Sequence, residues 1–428
     1  MTLDETRSTP VRAPHDLIEL LREAAGAGPV AAVQVGGRPC VLVTGPEQTQ
    51  QVLARRPDVY VKRGHRARLL LGDGLISATG EAWKQQRRLL QAQFTLAGTR
   101  RWAQHITAAA ERVADGWEAA VAAATPVDVG QDMRLFALDT IWRSLTGTAL
   151  DDVTRRELDA VDTVVASLPT TAGGAPEPSP AVDAALRQID TTAHRAIAAA
   201  RADRARDTSG PSLTLLGLLL DASGTDPRYT DALIRDELVT LLVAGHETTA
   251  QTLCWLFVLL DQHPDVHERF LTAYAGTPDP ARRDALICAL VQETLRLYPA
   301  VWLVPRQAAR DDVLDGHPVP AGTSVLVCPY LTHRSPVLWP DPERFDPSRF
   351  LPGGERPGHP AAYLPFGSGA RACLGQHFAL QEMVTLLRLL LPVHRPHLAP
   401  APRTAVFGAN LRPQGSLRAT LGRVRYAG

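Results

Sequence analysis

Apolar positions along the chain recur first with helical spacing, then with strand spacing, and then for most of its length with helical spacing again. Residues 15 to 26 predict a short helix, and the stretch PVAAVQVGGRPCVLVTGP places two strand-like runs on either side of Gly36 and Gly37, a hairpin signal. From about 46 to 300 helical patterns dominate. They are interrupted by LLGDGLISATGE, an apolar loop with glycines, and by LPTTAGGAPEPSPA, a connection between helices. The run from about 231 to 262 predicts one continuous helix ending before Pro264, which at ~1.5 Å per residue crosses most of a domain. Strand signals return at 312 to 328, as a second hairpin, and near 404 to 426. Between these two regions Leu374, Phe378, Met383, Leu386, Leu387 and Leu390 fall near helical spacing until Pro392 stops them. The expected fold is mainly α with small β-sheets, β-rich at about 29–44, 312–328 and 404–426 around a helical core of about 46–300. No repeat or interdomain linker divides the chain, so residues 1–428 read as a single domain.

Composition narrows the function classes. A chain of 428 residues, 45% hydrophobic and 21% charged, is globular and large enough to enclose a cofactor. Its 45 basic side chains balance its 45 acidic ones, so no overall field draws it to nucleic acid or anionic lipid. Lys62 and Lys84 are the only lysines; with the arginines matched by acids, this reads as coding bias rather than a binding surface. Five scattered cysteines without a CxxC pair exclude a disulfide framework and a zinc site. The N-terminal MTLDETRSTPVRAPHDLIELL offers neither a signal peptide nor a spanning helix, so a cytoplasmic protein without a membrane anchor is expected.

The chemistry begins at FGSGARACLGQHFA. Cys373 stands at or just before the N-terminus of the last helix, where the macrodipole and free backbone N–H groups favour a thiolate. Gly367, Gly369 and Gly375 permit unusual backbone angles and let the main chain lie against a flat ligand. Taken alone, Cys373 reads equally well as a structural thiol. Taken together, Phe366, Gly369, Arg371, Cys373 and Gly375 spell FxxGxRxCxG, and the segment strongly resembles the haem-binding loop of the cytochrome P450 family. The resemblance implies the cytochrome P450 fold, with haem between a long oxygen-binding helix and the helix of the cysteine loop. It also implies haem b ligated through its iron by the Cys373 thiolate.

A second motif lies midway along the helix of 231–262, where AGHETT breaks an apolar run with a glycine, an acid and two threonines. Ala244 and Thr248 are four apart, so the hydroxyl can bond the carbonyl or loosen the helical ladder, and Gly245 would let a ligand approach the opened backbone. The run resembles the family's oxygen-activating motif. By that resemblance Thr248 hydrogen-bonds dioxygen and Glu247 relays protons from solvent, while His246 points elsewhere. QETLRLYP supplies Glu293 and Arg296 on one helical face, and Arg344 in DPERFDPSRF matches the arginine that completes the family's Glu-Arg-Arg structural network. Haem propionates are carboxylates suited to guanidinium and indole donors, and Trp83, Arg87, Arg306 and Arg371 match the family's propionate-binding positions.

The same resemblance lines the pocket with four segments. The first gives Leu69, Leu70, Leu75 and Ile76; the central helix gives Ala244 and Thr248; the third gives Val301, Trp302 and Leu303. The fourth gives Ala409 and Asn410, with Asn410 the candidate orienting hydrogen-bond donor. The expected enzyme is a monooxygenase that inserts one atom of O2 into a hydrophobic small molecule of secondary metabolism, such as a terpenoid or polyketide, by hydroxylation or epoxidation. Trp83, LRLYP and PERF give it the look of the eukaryote-like bacterial branch. Electrons from NAD(P)H are expected through a separate ferredoxin or flavodoxin with its reductase, and a monomer is expected. A peroxide-driven peroxygenase, an oxidative coupling enzyme and a haem-thiolate gas- or ligand-binding module stand as alternatives; the intact Glu247–Thr248 pair disfavours the first and the last.

Overall fold

The computed structural model describes residues 14–63, 68–167, 179–206 and 214–424, and every structural statement below concerns these. The first helix runs Pro14–Ala25 and leads into antiparallel strands Val30–Val35 and Arg38–Val43. Gly36 and Gly37 both take positive φ (57° and 73°), the geometry that joins two strands through a two-residue turn without splaying them.

This hairpin is one edge of a five-stranded sheet. Arg38–Val43 pairs in parallel with Ser324–Val327, which continues antiparallel to Val304–Ala308 and then to Tyr60–Val61. The predicted hairpin at 312 is present as Asp312–Leu314 paired with His317–Val319. The C-terminal sheet signal resolves into Ala405–Phe407 with Leu411–Pro413, and into Arg418–Arg423 between His394–Leu398 and Val127–Asp128. Strands 304–308 and 394–398 lie outside the predicted β-rich parts, and two short strands fall inside the predicted helical core. VPRQA and HRPHL carry proline and charge instead of apolar alternation, and two-residue strands leave no period to read.

The central helix spans Asp231–Gln262, as its sequence predicts. Thr230 caps it by accepting from the Leu233 N–H at 3.3 Å, and Pro264 opens the next helix. Its first half packs with helices Val129–Thr146 and Pro180–Arg206, and its second half with Ala103–Ala123, Pro280–Leu297 and Gln376–Leu390. A helix apolar on almost every side belongs in such an interior. Of the predicted connection between helices, residues 168–178 lie outside the described residues. Among the described residues no helix is long and apolar enough to cross a membrane.

Candidate active site

Cys373 lies between a 3-10 turn, Gly369–Arg371, and helix Gln376–Leu390. The loop is closed by the Cys373 N–H donating to the Phe366 carbonyl at 2.8 Å. Gly367 and Gly369 hold φ of 71° and 72°, and a Cβ on Gly369 would lie 2.2 Å from the Leu53 carbonyl oxygen, so only glycine fits there. Gly375 differs from expectation. Its φ is −86°, which any residue adopts, and the space its Cβ would enter is open to 4 Å. Cys373 is accessible although protein surrounds it, so it faces an interior cavity. Burial pushes its thiol up, against the Gly375 N–H and the Arg87 charge, so the expected bias to thiolate is not supplied by the helix terminus alone. A metal ion at the sulfur reverses that balance, because a coordinating thiol is deprotonated outright.

On the central helix, Ala244 is exposed, with Val243 and Gly245 beside it half-buried. Thr248 Oγ1 donates to the Ala244 carbonyl at 2.8 Å, the local bond the spacing predicts. Glu247 is half-buried and accepts from Gln251 Nε2 at 3.0 Å. Gly245 corrects its sequence reading: a Cβ there would lie 3.1 Å from both Cγ1 and Cδ1 of Ile141 on helix Val129–Thr146. Its missing side chain admits a neighbouring helix rather than a ligand. Thr249 Oγ1 donates to Glu382 Oε1 at 2.6 Å, tying the central helix to the helix that follows Cys373. Full burial raises the Glu382 carboxyl well above the usual range.

Cations gather beside this cavity. Arg87 Nη1 donates to the Ala372 carbonyl and Arg371 Nη2 to the Ala78 carbonyl, both at 2.9 Å, while the Arg371 guanidinium stacks 4.1 Å from the centre of the Trp83 ring. Arg306 is pulled down to about 10 by burial, and Arg371 to about 10 by burial and then by Arg306 and Arg87. Lys62, absent from the predicted site, is pulled down to about 7 by burial and then by Arg371 and Arg306. None of the four has a carboxylate partner among the described residues. Four mutually repelling cations next to an accessible thiol and an open glycine face suit a flat ligand that carries carboxylates and a thiophilic metal, which is what haem is.

The family profile described as cytochrome P450 matches residues 10–403. The chain belongs to the cytochrome P450 family. Cyclooctat-9-en-7-ol 5-monooxygenase of Streptomyces melanosporofaciens is 31% identical over 91% of this chain and 86% of its own. Pentalenene oxygenase of Streptomyces avermitilis is 30% identical over 87% of this chain and 85% of its own. The crystal structure of the cytochrome P450DA heme domain superposes with a TM-score of 0.83, at 24% identity, over 97% of this chain and 94% of that one. With the relatives named as monooxygenases and oxygenases, this P450 is an oxidoreductase of the monooxygenase class that uses haem-thiolate and O2.

The P450's predicted Glu-Arg-Arg network is present with one change of member. Arg296 forks onto Glu293, Nε to Oε2 at 2.7 Å and Nη2 to Oε1 at 2.8 Å, with both side chains fully buried. Its remaining donors reach the His333, Pro342 and Arg344 carbonyls at 2.9, 2.6 and 2.9 Å. Arg344 thus contributes only its backbone, and its side chain is exposed. The second guanidinium beside Glu293 is that of buried Arg349, Nε to Oε1 at 3.6 Å. Residues 347–350 form a 3-10 turn that swings Arg349 inward, an orientation the linear pattern does not carry. His333 extends the network. Its Nε2 accepts from the Leu364 N–H at 2.7 Å, leaving Nδ1 to donate to the Arg296 carbonyl at 3.1 Å, so the buried pair reaches the start of the cysteine loop.

The predicted pocket segments are partly brought together. Segments 300–303 and 408–411 meet: the Trp302 indole N–H donates to the Gly408 carbonyl at 2.9 Å and the Leu411 N–H to the Ala300 carbonyl at 3.0 Å. Trp302, however, is 2% exposed and edge-on to Phe407, and Leu70 is fully buried; both are core residues. Val301 at 41% exposure, Ala409 exposed, and Leu303, Ile76 and Asn410 half-buried remain available, whereas Leu75 is covered. The Leu69 side chain lies outside the description. A separate cavity of about 450 Å³ borders another flank of the central helix, lined by His246, Gln251, Cys254, Asp162 and Arg134 among others. His246 turns into it and is held neutral, pulled down to about 3 by burial and then by Arg134.

Proposed function

We propose that this P450 oxygenates a cyclic terpenoid or similarly hydrophobic natural product, by hydroxylation or epoxidation, with Cys373 as the ligand of its haem iron. One observation carries the reading: an accessible cysteine stands near cations that have no carboxylate partner among the described residues, and the Thr249–Glu382 bond ties the helix after it to the helix that carries Ala244 and Thr248. Two relatives named for oxidation of cyclooctat-9-en-7-ol and pentalenene support the terpenoid class. Arg87, Arg306, Arg371 and Lys62 would hold the propionates, with Trp83 stacked against Arg371; Phe366, Gly367 and Gly375 would shape the surface around Cys373.

When bound, the haem-thiolate supplies the electron push that favours cleavage of the O–O bond. The chain's own residues do the rest. The Thr248 hydroxyl, parked on the Ala244 carbonyl, turns to donate towards oxygen in the cavity. Half-buried Glu247, released from Gln251, takes protons from solvent and passes them to Thr248. Ile76, Val301, Leu303 and Ala409 present apolar surface to the substrate and Asn410 a single polar contact, an arrangement that selects a largely hydrophobic ligand. Electrons from NAD(P)H arrive through a separate ferredoxin or flavodoxin.

The test begins with the carbon monoxide difference spectrum of the reduced protein beside Cys373→Ala. A strongly red-shifted Soret band in the wild type only is expected, and an imidazole-like band overturns the ligand assignment. A panel of cyclic terpenes, fatty acids and small polar compounds then reads substrate class by spectral shift. Binding confined to the polar set overturns the terpenoid reading.

A further inference from the structure

Three consecutive side chains of the central helix grip a loop far away in sequence. Asp236 Oδ2 accepts from the Asp73 N–H at 2.8 Å and Glu237 Oε2 from the Leu75 N–H at 3.1 Å. Arg235 Nη1 donates to the Leu70 carbonyl at 3.2 Å and to Asp236 Oδ1 at 2.9 Å, while its Nε is held by Asp190 at 3.0 Å. Gln86 Nε2 closes the clamp from the other side, donating to the Asp73 carbonyl at 2.9 Å. The glycines of LLGDGLIS now have a reason. A Cβ on Gly72 would lie 2.1 Å from Asp236 Oδ2, and one on Gly74 2.2 Å from Thr240 Oγ1, so the loop backbone sits directly on the helix. Glu237 is seven residues before Ala244, two turns away on nearly the same face, which puts the clamped loop at the rim of the proposed pocket.

We propose that Asp236 and Glu237 are positioning residues: they hold loop 72–76 as the closable wall that carries Ile76 to the substrate pocket, and so set how readily bulky hydrophobic ligands enter. The proposal rests on the pocket reading above, although the clamp itself can be measured without it.

Glu237 gives the wall a pH dependence. It is completely buried, and its Oε1 has no hydrogen-bond partner. Among the described residues, the groups facing it are Asp236 on its own helix, Tyr229 on the preceding turn and the Leu75 N–H of the loop; Arg235 is committed to Asp190, Asp236 and Leu70. Burial, then Asp236, pushes its carboxyl up to about 7 against the Leu75 N–H. The closed loop therefore holds a proton that an opened, hydrated Glu237 gives up. Closure is fully favoured below the ordinary glutamate range and weakens as pH rises through about 7.

The experiment uses the holoenzyme, with hydrogen exchange of the 70–78 peptide and stopped-flow Soret shifts on adding clotrimazole (bulky) or imidazole (small). Asp236→Ala and Glu237→Ala should raise loop exchange about tenfold and speed clotrimazole entry several-fold, leaving imidazole unchanged. Glu237→Gln, which keeps an acceptor for the Leu75 N–H, should restore loop protection. It should also abolish the wild type's rise in clotrimazole entry rate between pH 6 and 8.5, expected to be at least about threefold. Unchanged loop exchange in both alanine variants overturns the clamp. A loosened loop with equal effects on the two azoles, or with none, overturns the wall. Absence of any azole-induced shift in the wild type sinks the pocket reading instead, with the exchange data still deciding the clamp.

Discussion

Arg349 and Arg344 stand five residues apart, yet one is buried against a carboxylate and the other reaches into solvent. Removing one partner of a buried ionic cluster strands the rest, so Arg349→Ala should cost about 1–3 kcal/mol in denaturant unfolding. Arg344→Ala, losing only an exposed side chain, should stay within about 0.5 kcal/mol. Lys62 makes a different point. Its perturbation comes from burial and then from Arg371 and Arg306, which are distant in sequence, and no local pattern around VYVKRG announces it. A charge-assisted bond to a propionate predicts that Lys62→Met speeds haem loss to apomyoglobin by about tenfold without shifting the carbon monoxide band. An unchanged loss rate would remove Lys62 from the haem site.

At the scale of elements, the central helix is the best-forecast part of the molecule. Its limits and the Thr248 to Ala244 bond follow from capping, Pro264 and i, i+4 spacing, all of them local rules. What those rules leave open is which neighbour each face meets. Gly245 is the case in point: with Ile141 against it, Gly245→Ala should destabilise by about 1–3 kcal/mol through overpacking. Ile141→Val, which removes the Cδ1 atom, should recover part of that loss in thermal melts, and the carbon monoxide spectrum should be unaffected. A spectral change with normal stability would return Gly245 to the ligand side. The 72–76 loop was recognisable as glycine-rich and apolar, but its clamp joins it to residues 235–237, and such a pairing has no period to detect.

The whole molecule carries its acid sensitivity in buried histidines. His333 is fully buried and pulled down to about 3 by burial, then by Arg296. Unfolding frees it to bind a proton at its ordinary value near 6.5. Its contribution to stability is therefore complete above about 6.5 and is lost as pH falls towards 3. Between pH 6 and 4 the His333→Gln variant should show a stability slope shallower than wild type by about one proton, or about 1.4 kcal/mol per pH unit. Parallel slopes would show that His333 is not the neutral hinge of this network.

By itself the sequence determined the mainly helical class, the central helix, the N-terminal hairpin and the local bond from Thr248 to the Ala244 carbonyl. Each of these is written in residues adjacent in the chain or one turn apart, where backbone geometry alone fixes their relation. Only the tertiary structure decided that Arg349 rather than Arg344 joins Glu293, that Lys62 lies beside Arg371 and Arg306, that Trp302 and Leu70 are core, and that Glu237 grips the loop at Leu75. These relations arise where elements distant in sequence exclude water from one another, and burial, which sets both partner and pKa, is a property of that packing rather than of any local pattern.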